Sequence, residues 1–221
     1  MGGAADTFAT QQAAHVASQT KVFIVEELRS ARRLLRTLGV TIPLEQLEFL
    51  ELNEHTKQED WPALIEPLLA GNDVGLMSEA GIPCVADPGN VVVRLAHENK
   101  IKVVPLSGPS SIMMALMASG MNGQEFCFNG YLPREKSDRI KKIKQLEQLA
   151  LKGQTQLFMD APYRNNQLLE DLLATCKMDI RLCIAKNISL ENEQIRTKPI
   201  MEWHMEKPDL HKQLVMFVLG K

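Results

Sequence analysis

Between residues 21 and 106, short apolar runs of strand type alternate with stretches of helical period, and this alternation restricts the chain to few folds. Lys21-Val22-Phe23-Ile24-Val25-Glu26 reads as a short buried strand, and Arg29 to Leu38 as a helix stopped by Gly39. Leu47 to Leu52 alternates like a strand. Trp61 to Leu69 is a helix with Pro62 in its first turn and Gly71 past its end. Val74 to Ser78 is a strand, Asn90 to Glu98 a helix and Ile101 to Leu106 a further strand. Such units call for a parallel sheet covered on both faces.

The grammar changes near residue 108. The Met-rich run Ile112 to Ala118 is a helix, read as core because methionine fills irregular gaps. Beyond it, strands are expected at Glu125 to Leu132, Gln156 to Asp160, Arg181 to Ala185 and Leu214 to Leu219, with Ile195-Arg196-Thr197 in a hairpin-like edge. Helices are expected at Arg139 to Ala150, with a solvated charged face, and at Asn166 to Ala174. The fold expected is α/β with two α/β domains, residues 1–108 around a parallel sheet and 109–221 around a mixed one.

Composition removes several classes. A chain of 221 residues can bury two modest cores. A formal net charge of −2 excludes a broadly basic nucleic-acid surface, although Arg29-Ser30-Ala31-Arg32-Arg33 with Arg36, and Arg134 through Lys144, are local basic patches. No run of eighteen apolar residues suggests a membrane span, and no secretory leader opens the sequence. Cys84, Cys127, Cys176 and Cys183 lack CxxC spacing, and the five histidines lack metal-ligand spacing, so no metal site is expected and a reducing cytoplasm fits.

Two loops can carry chemistry. Ser78-Glu79-Ala80-Gly81-Ile82-Pro83-Cys84-Val85-Ala86-Asp87-Pro88-Gly89 follows a predicted parallel strand, at the sheet end where ligands bind in open α/β folds. Gly81 and Gly89 permit close backbone approach, and Pro83 and Pro88 stiffen the loop. The competing reading is a tight connection in which Asp87 and Ser78 satisfy loop amides. Ser107-Gly108-Pro109-Ser110-Ser111 offers hydroxyls and N–H groups at a helix start, for a ligand or for capping alone. His55 follows one strand end and Glu26-Glu27 another. Arg164, after a strand, is either an anion clamp or a solvated arginine. No P-loop, GxGxxG or GxSxG motif is present.

Gly75 to Gly89, then Val103 to Ser111, then Phe128-Asn129-Gly130-Tyr131-Leu132-Pro133-Arg134 resemble the tetrapyrrole methylase superfamily, the class III S-adenosylmethionine (SAM)-dependent methyltransferases. Within it the chain is most similar to the small-subunit ribosomal RNA methyltransferase I branch. Glu26-Glu27-Leu28-Arg29 matches an acidic-Thr-Arg segment with Leu28 for Thr, and Ala161-Pro162-Tyr163-Arg164 matches Ser-Pro-His-Arg with Tyr163 for His. The resemblance implies a homodimer with SAM in a cleft between the two domains of each subunit. Ala80, Gly81, Ile82, Pro83, Ser110 and Ser111 would line the cofactor, with Pro162 and Ala185 on the second domain. Arg29 and Arg164 would meet the substrate, and Glu26, His55 or Glu79 would assist deprotonation of a ribose hydroxyl. A tetrapyrrole or other small-molecule acceptor, a SAM-binding protein of degenerate activity and an interaction protein with the same fold stay open as alternatives. The family opens with a strand and a Pro/Gly loop, of which only Gly2 and Gly3 could remain here, so either the sequence is truncated at its start or the fold lacks an edge of its cofactor pocket.

Overall fold

The computed structural model describes residues 10–79 and 81–221. They form two compact units, one ending at Ser110 and one running Ser111–Lys221. Ala80, Gly2 and Gly3 lie outside the described residues.

In the first unit, α1 (Gln11–Gln19) leads into β1 (Val22–Val25), and α2 (Leu28–Thr37) follows. Then come β2 (Glu48–Glu51), α3 (Trp61–Leu69), β3 (Val74–Met77) and α4 (Asn90–Glu98). The sheet is parallel, in the order β2-β1-β3, with Val22 opposite both Glu48 and Val74. Because side chains alternate across a strand, β1 feeds both faces. Phe23 and Val25 pack with Ala31, Leu35 and Leu47, whereas Ile24 packs with Leu52, Leu64 and Val92. All of β1 is buried, while β3 is half-buried throughout. Only a strand hydrogen-bonded on both sides is fully screened.

The strand expected at Ile101 to Leu106 does not form: no ladder pairs this segment with any described residue. The Ile101 N–H instead donates to the Ala96 carbonyl at 2.8 Å, closing α4, and Pro105 has no N–H to give a ladder. Val104 and Leu106 are left 57% and 37% exposed.

The second unit runs α5 (Ser111–Ser119), β4 (Phe126–Tyr131), α6 (Lys136–Leu151), β5 (Thr155–Met159), α7 (Asn165–Thr175), β6 (Arg181–Lys186), β7 (Gln194–Pro199), α8 (Ile200–Met205) and β8 (Val215–Gly220). Its sheet is mixed, in the order β4-β5-β8-β6-β7, with β4 parallel to β5 and the other pairs antiparallel. Phe158, Leu182, Phe217 and Leu219 meet α6 and α7 on one face; Leu157, Cys183, Ala185 and Val218 meet Ala115 and Leu116 of α5 on the other. Each large apolar side chain buried this completely stabilises by about 1.5–3 kcal/mol.

Two expectations are corrected here. The α6 face is not simply solvated: Arg139 is 4% exposed, its Nε donating to Asp171 Oδ2 at 2.7 Å and its Nη1 to the carbonyls of Pro133 and Arg134. Glu147, 7% exposed, accepts the Lys177 N–H. In α5, Ala115 and Leu116 carry the core, while Met113 and Met117 are 43% and 79% exposed. The short helix α8 was not foreseen; it docks Trp203, whose Nε1 donates to the Leu182 carbonyl at 2.9 Å. Among the described residues, no helix is long and apolar enough to cross a membrane.

Candidate active site

The three parallel strands of the first unit end together, and Glu26, Asn53 and Ser78 stand one or two residues past them. The Glu79 N–H donates to Glu26 Oε2 at 3.0 Å, tying the exit of β3 to the exit of β1. Glu26 is half-buried and Glu79 exposed. The structure thus brings these two expected residues together. His55 stands at the same sheet end but apart: its Nε2 lies 3.7 Å from Glu54, its side chain is 85% exposed, and no hydrogen bond or ion pair links it to Glu26 or Glu79.

The loop after β3 is organised from within. Asp87 Oδ1 accepts the N–H groups of Cys84, at 3.0 Å, and Gly89, at 2.7 Å. Cys84 and Ala86 adopt φ of 71° and 56°, a region that costs a side-chain-bearing residue of order 1–2 kcal/mol. Two strained residues with one position between them mark a loop whose shape is over-determined. Burial, and then the Asp87 carboxylate, push the Cys84 thiol up, which keeps it neutral.

The two glycines of this loop differ. A Cβ on Gly89 would sit 2.7 Å from Asp87 Oδ1 and 3.0 Å from the Leu76 side chain, so this glycine serves packing of the loop on itself. Gly81, at φ +82°, has no atom of the described residues within 4 Å of such a Cβ. Of the pair read from sequence as ligand-facing, only Gly81 presents open space. Ile82 and Pro83 beside it are half-buried, and Ser110 is 9% exposed while Ser111, exposed, opens α5.

Glu27 was passed over as a structural element, and it fixes where α2 starts. Its carboxylate accepts from the Arg29 and Ser30 N–H groups at 2.8 and 2.6 Å, as an N-cap. Those backbone bonds, with a smaller contribution from the Arg29 charge, lower its pKa. The Arg29 side chain is exposed.

In the second unit, Arg164 is engaged from inside. Its Nη2 bonds Asp160, and its guanidinium lies 5.7 Å from the Tyr163 ring centre. Its side chain is 18% exposed, so it is neither a free clamp nor a solvated arginine. Pro162 is half-buried, and its carbonyl accepts the Lys212 N–H at 3.0 Å. Ala185 is 0% exposed under α5. Around them, Asn165 Nδ2 donates to the Gln213 carbonyl at 2.8 Å, and Asn187 Nδ2 to Gln213 Oε1 at 2.6 Å. Asp87, Asp160, Asn165 and Asn187 are the polar residues that sequence reasoning missed or underrated. Asp87-Pro88-Gly89 carried a turn signal; the other three carried none beyond standing after strands. Among the described residues, no group of three or more His, Cys, Asp or Glu is arranged to hold a metal ion.

Comparison with known proteins gives the family and the fold. The profile of the family described as Tetrapyrrole (Corrin/Porphyrin) Methylases matches residues 7–203. Proteins named ribosomal RNA small subunit methyltransferase I are similar over 96% of the chain. The one from Haemophilus influenzae is 33% identical, with 74% of its length covered, and that from Escherichia coli O157:H7 is 30% identical, with 72% covered. A crystal structure of the methyltransferase CobJ superposes with a TM-score of 0.65 at 15% identity, covering 98% of this chain and 89% of that one, which shows the shared fold. A parallel first sheet, a mixed second one, the strained loop after β3 and these matches lead to one conclusion: the chain belongs to the tetrapyrrole methylase family of SAM-dependent methyltransferases, on the branch of ribosomal RNA small subunit methyltransferase I.

Proposed function

We propose that this chain methylates a ribose 2′-hydroxyl of small-subunit ribosomal RNA, with its two compact units acting as the two domains of the enzyme. The observation that carries the reading is the Glu79 N–H to Glu26 bond beside the open Cα face of Gly81, in a chain whose relatives bear the RNA methyltransferase name. SAM supplies a methyl group already activated on a sulfonium. Gly81, Ile82, Pro83, Ser110 and Ser111 would hold it, with Pro162 and with Ala185 through its backbone; Ala80, between Glu79 and Gly81, completes the set in sequence.

Alignment of nucleophile and methyl group supplies most of the rate in such a transfer. Glu26 is the favoured proton acceptor: Oε2 is fixed by the Glu79 N–H, which leaves Oε1 for the hydroxyl proton. Glu79 and His55 are the weaker candidates, being exposed; Arg29 would contact the substrate, and Arg164 would do so only by the edge that its ion pair with Asp160 leaves 18% exposed. The reading includes a homodimer in the cytoplasm, supported by the family likeness and by four free cysteines. Light scattering should then give twice the 24.8 kDa chain mass.

The test is transfer from tritiated SAM to intact small ribosomal subunits, to deproteinised ribosomal RNA and to uroporphyrinogen-type acceptors. Label in a nuclease-resistant 2′-O-methyl dinucleotide, reduced roughly 10²–10⁴-fold in Glu26→Gln, supports the proposal. Label in the tetrapyrrole alone would overturn it.

A further inference from the structure

Helix α2 carries Arg29, Arg32, Arg33 and Arg36 within the ten residues Leu28–Thr37, and all four are exposed. At 3.6 residues per turn they share a stripe of about 100° of arc, roughly opposite Ala31 and Leu35, which fix the helix to the sheet. Like charges therefore meet at Arg29–Arg32, Arg29–Arg33, Arg32–Arg36 and Arg33–Arg36, an arrangement that works against the helix. Among the described residues, no Asp or Glu side chain lies within ion-pair distance of any of the four. Glu27, whose charge Arg29 feels, is committed to the backbone of the first turn.

The other basic patch shows that the chain does pair its cations elsewhere. On α6, Arg139 and Lys136 meet Asp171, and Lys141 meets Asp138. The α2 stripe is thus a concentration of positive charge in a chain of net charge −2. Its Arg32 guanidinium is steadied 5.4 Å from the Phe49 ring centre. Planar guanidinium forks match phosphate oxygens, and the stripe extends about 10 Å along the helix from a start three residues past Glu26.

We propose that the arginine stripe of α2 is the docking surface for the phosphodiester backbone of the RNA acceptor, holding the strand beside the carboxyl ends of β1 and β3. This rests on the RNA reading above and adds the surface that recognises it. The acidic remainder of the chain confines the attraction to this helix, so recognition of the strand is local.

The test is fluorescence anisotropy of the full chain with single-stranded fragments of small-subunit ribosomal RNA across a salt series. Each phosphate neutralised contributes about −0.7 to the slope of log affinity against log salt, so Arg32→Gln/Arg33→Gln/Arg36→Gln should flatten the slope by about 2 and weaken binding roughly tenfold or more at low salt. S-adenosylhomocysteine affinity and Tm should stay at wild-type values. Arg33→Gln/Arg36→Gln, which leaves Arg32 on Phe49, should flatten the slope by about 1.4 and guards against a folding artefact. Lys141→Gln/Lys142→Gln/Lys144→Gln on α6, equal in charge change, should alter it little. An unchanged slope in the α2 variants, or an equal loss in the α6 variant, overturns the docking surface while leaving the RNA reading intact. No salt-dependent RNA binding by the wild type overturns both.

Discussion

After β3, the first unit presents Glu79 and Gly81 to solvent on a loop held chiefly by one carboxylate, Asp87, with half-buried Glu26 tied to it from the exit of β1. After β5 and β6, the second unit instead seals its polar groups: Asp160 grips Arg164, and Asn165, Asn187 and Gln213 bond one another or nearby backbone. The cores differ in the same direction. Among the described residues, one cluster of the second unit gathers nineteen buried apolar residues, whereas the two clusters of the first gather six and four. The second unit concentrates stability and the first concentrates accessible chemistry, as expected where strain and exposure serve a reaction.

The largest expected effects break the second unit. Asp171→Ala would strand the Arg139 charge in the interior and should cost about 3–5 kcal/mol in urea unfolding, whereas Arg139→Met/Asp171→Leu should recover most of that. Phe217→Ala, at 0% exposure, should also cost about 3–5 kcal/mol. Leu76→Ala on half-buried β3 should cost less, about 1–2 kcal/mol. Equal losses at Phe217 and Leu76 would erase the contrast between the units.

Alkaline titration gives an effect that starts from zero near pH 8.5 and reaches about 3 kcal/mol only by pH 11. Burial, reinforced by Glu147, pushes the Cys176 thiol up to about 12. Below the unfolded value of about 8.5, both states keep the proton and stability is whole. Above it the unfolded chain releases its proton first, and stability falls by about 1.4 kcal/mol per pH unit toward pH 12. Cys176→Ala should remove that component between pH 9 and 11, measured as the difference from wild type in chemical unfolding.

Smaller still is the stability cost of Gly81→Val. Among the described residues the side chain meets no atom within 4 Å at its Cβ, so the cost is that of the positive φ, of order 1–3 kcal/mol. Titration calorimetry should nonetheless lose the S-adenosylhomocysteine signal. Retained affinity would mean that the space at Gly81 is not part of the cofactor site. Acid shows the least of the set: the depressed pKa of Glu27 makes its capping contribution whole above about pH 4.5 and lost as pH falls through the lower folded value. Glu27→Gln should flatten the far-ultraviolet helix signal over that acid range alone.

Most strands were legible because apolar runs such as Val22–Val25 and Val215–Gly220 need a dry two-sided environment whatever surrounds them. Ile101 to Leu106 is also rich in apolar and β-branched residues, yet with Pro105 in it forms no strand, since β-propensity states what a segment tolerates and not whether a partner edge is available. In the site, Gly81 and Glu26 could be placed from their positions after strands. The role of Gly89 could not, because a glycine spared for its own loop and one spared for a ligand look alike in sequence. Arg164 and Glu147 were misjudged for a related reason: which charge is buried depends on the partner that folding brings to it, here Asp160 four residues back and the distant Lys177 N–H.

The Arg139 guanidinium joins three pieces of chain, donating to Asp171 on α7 and to the carbonyls of Pro133 and Arg134 ahead of its own helix. The Asp171 contact cannot be released singly, because that opening leaves an interior charge without its partner. The start of α6 and the middle of α7 are thereby coupled into one all-or-none latch. Their amides should exchange with solvent at a common rate set by a shared opening event, with no gradual fraying.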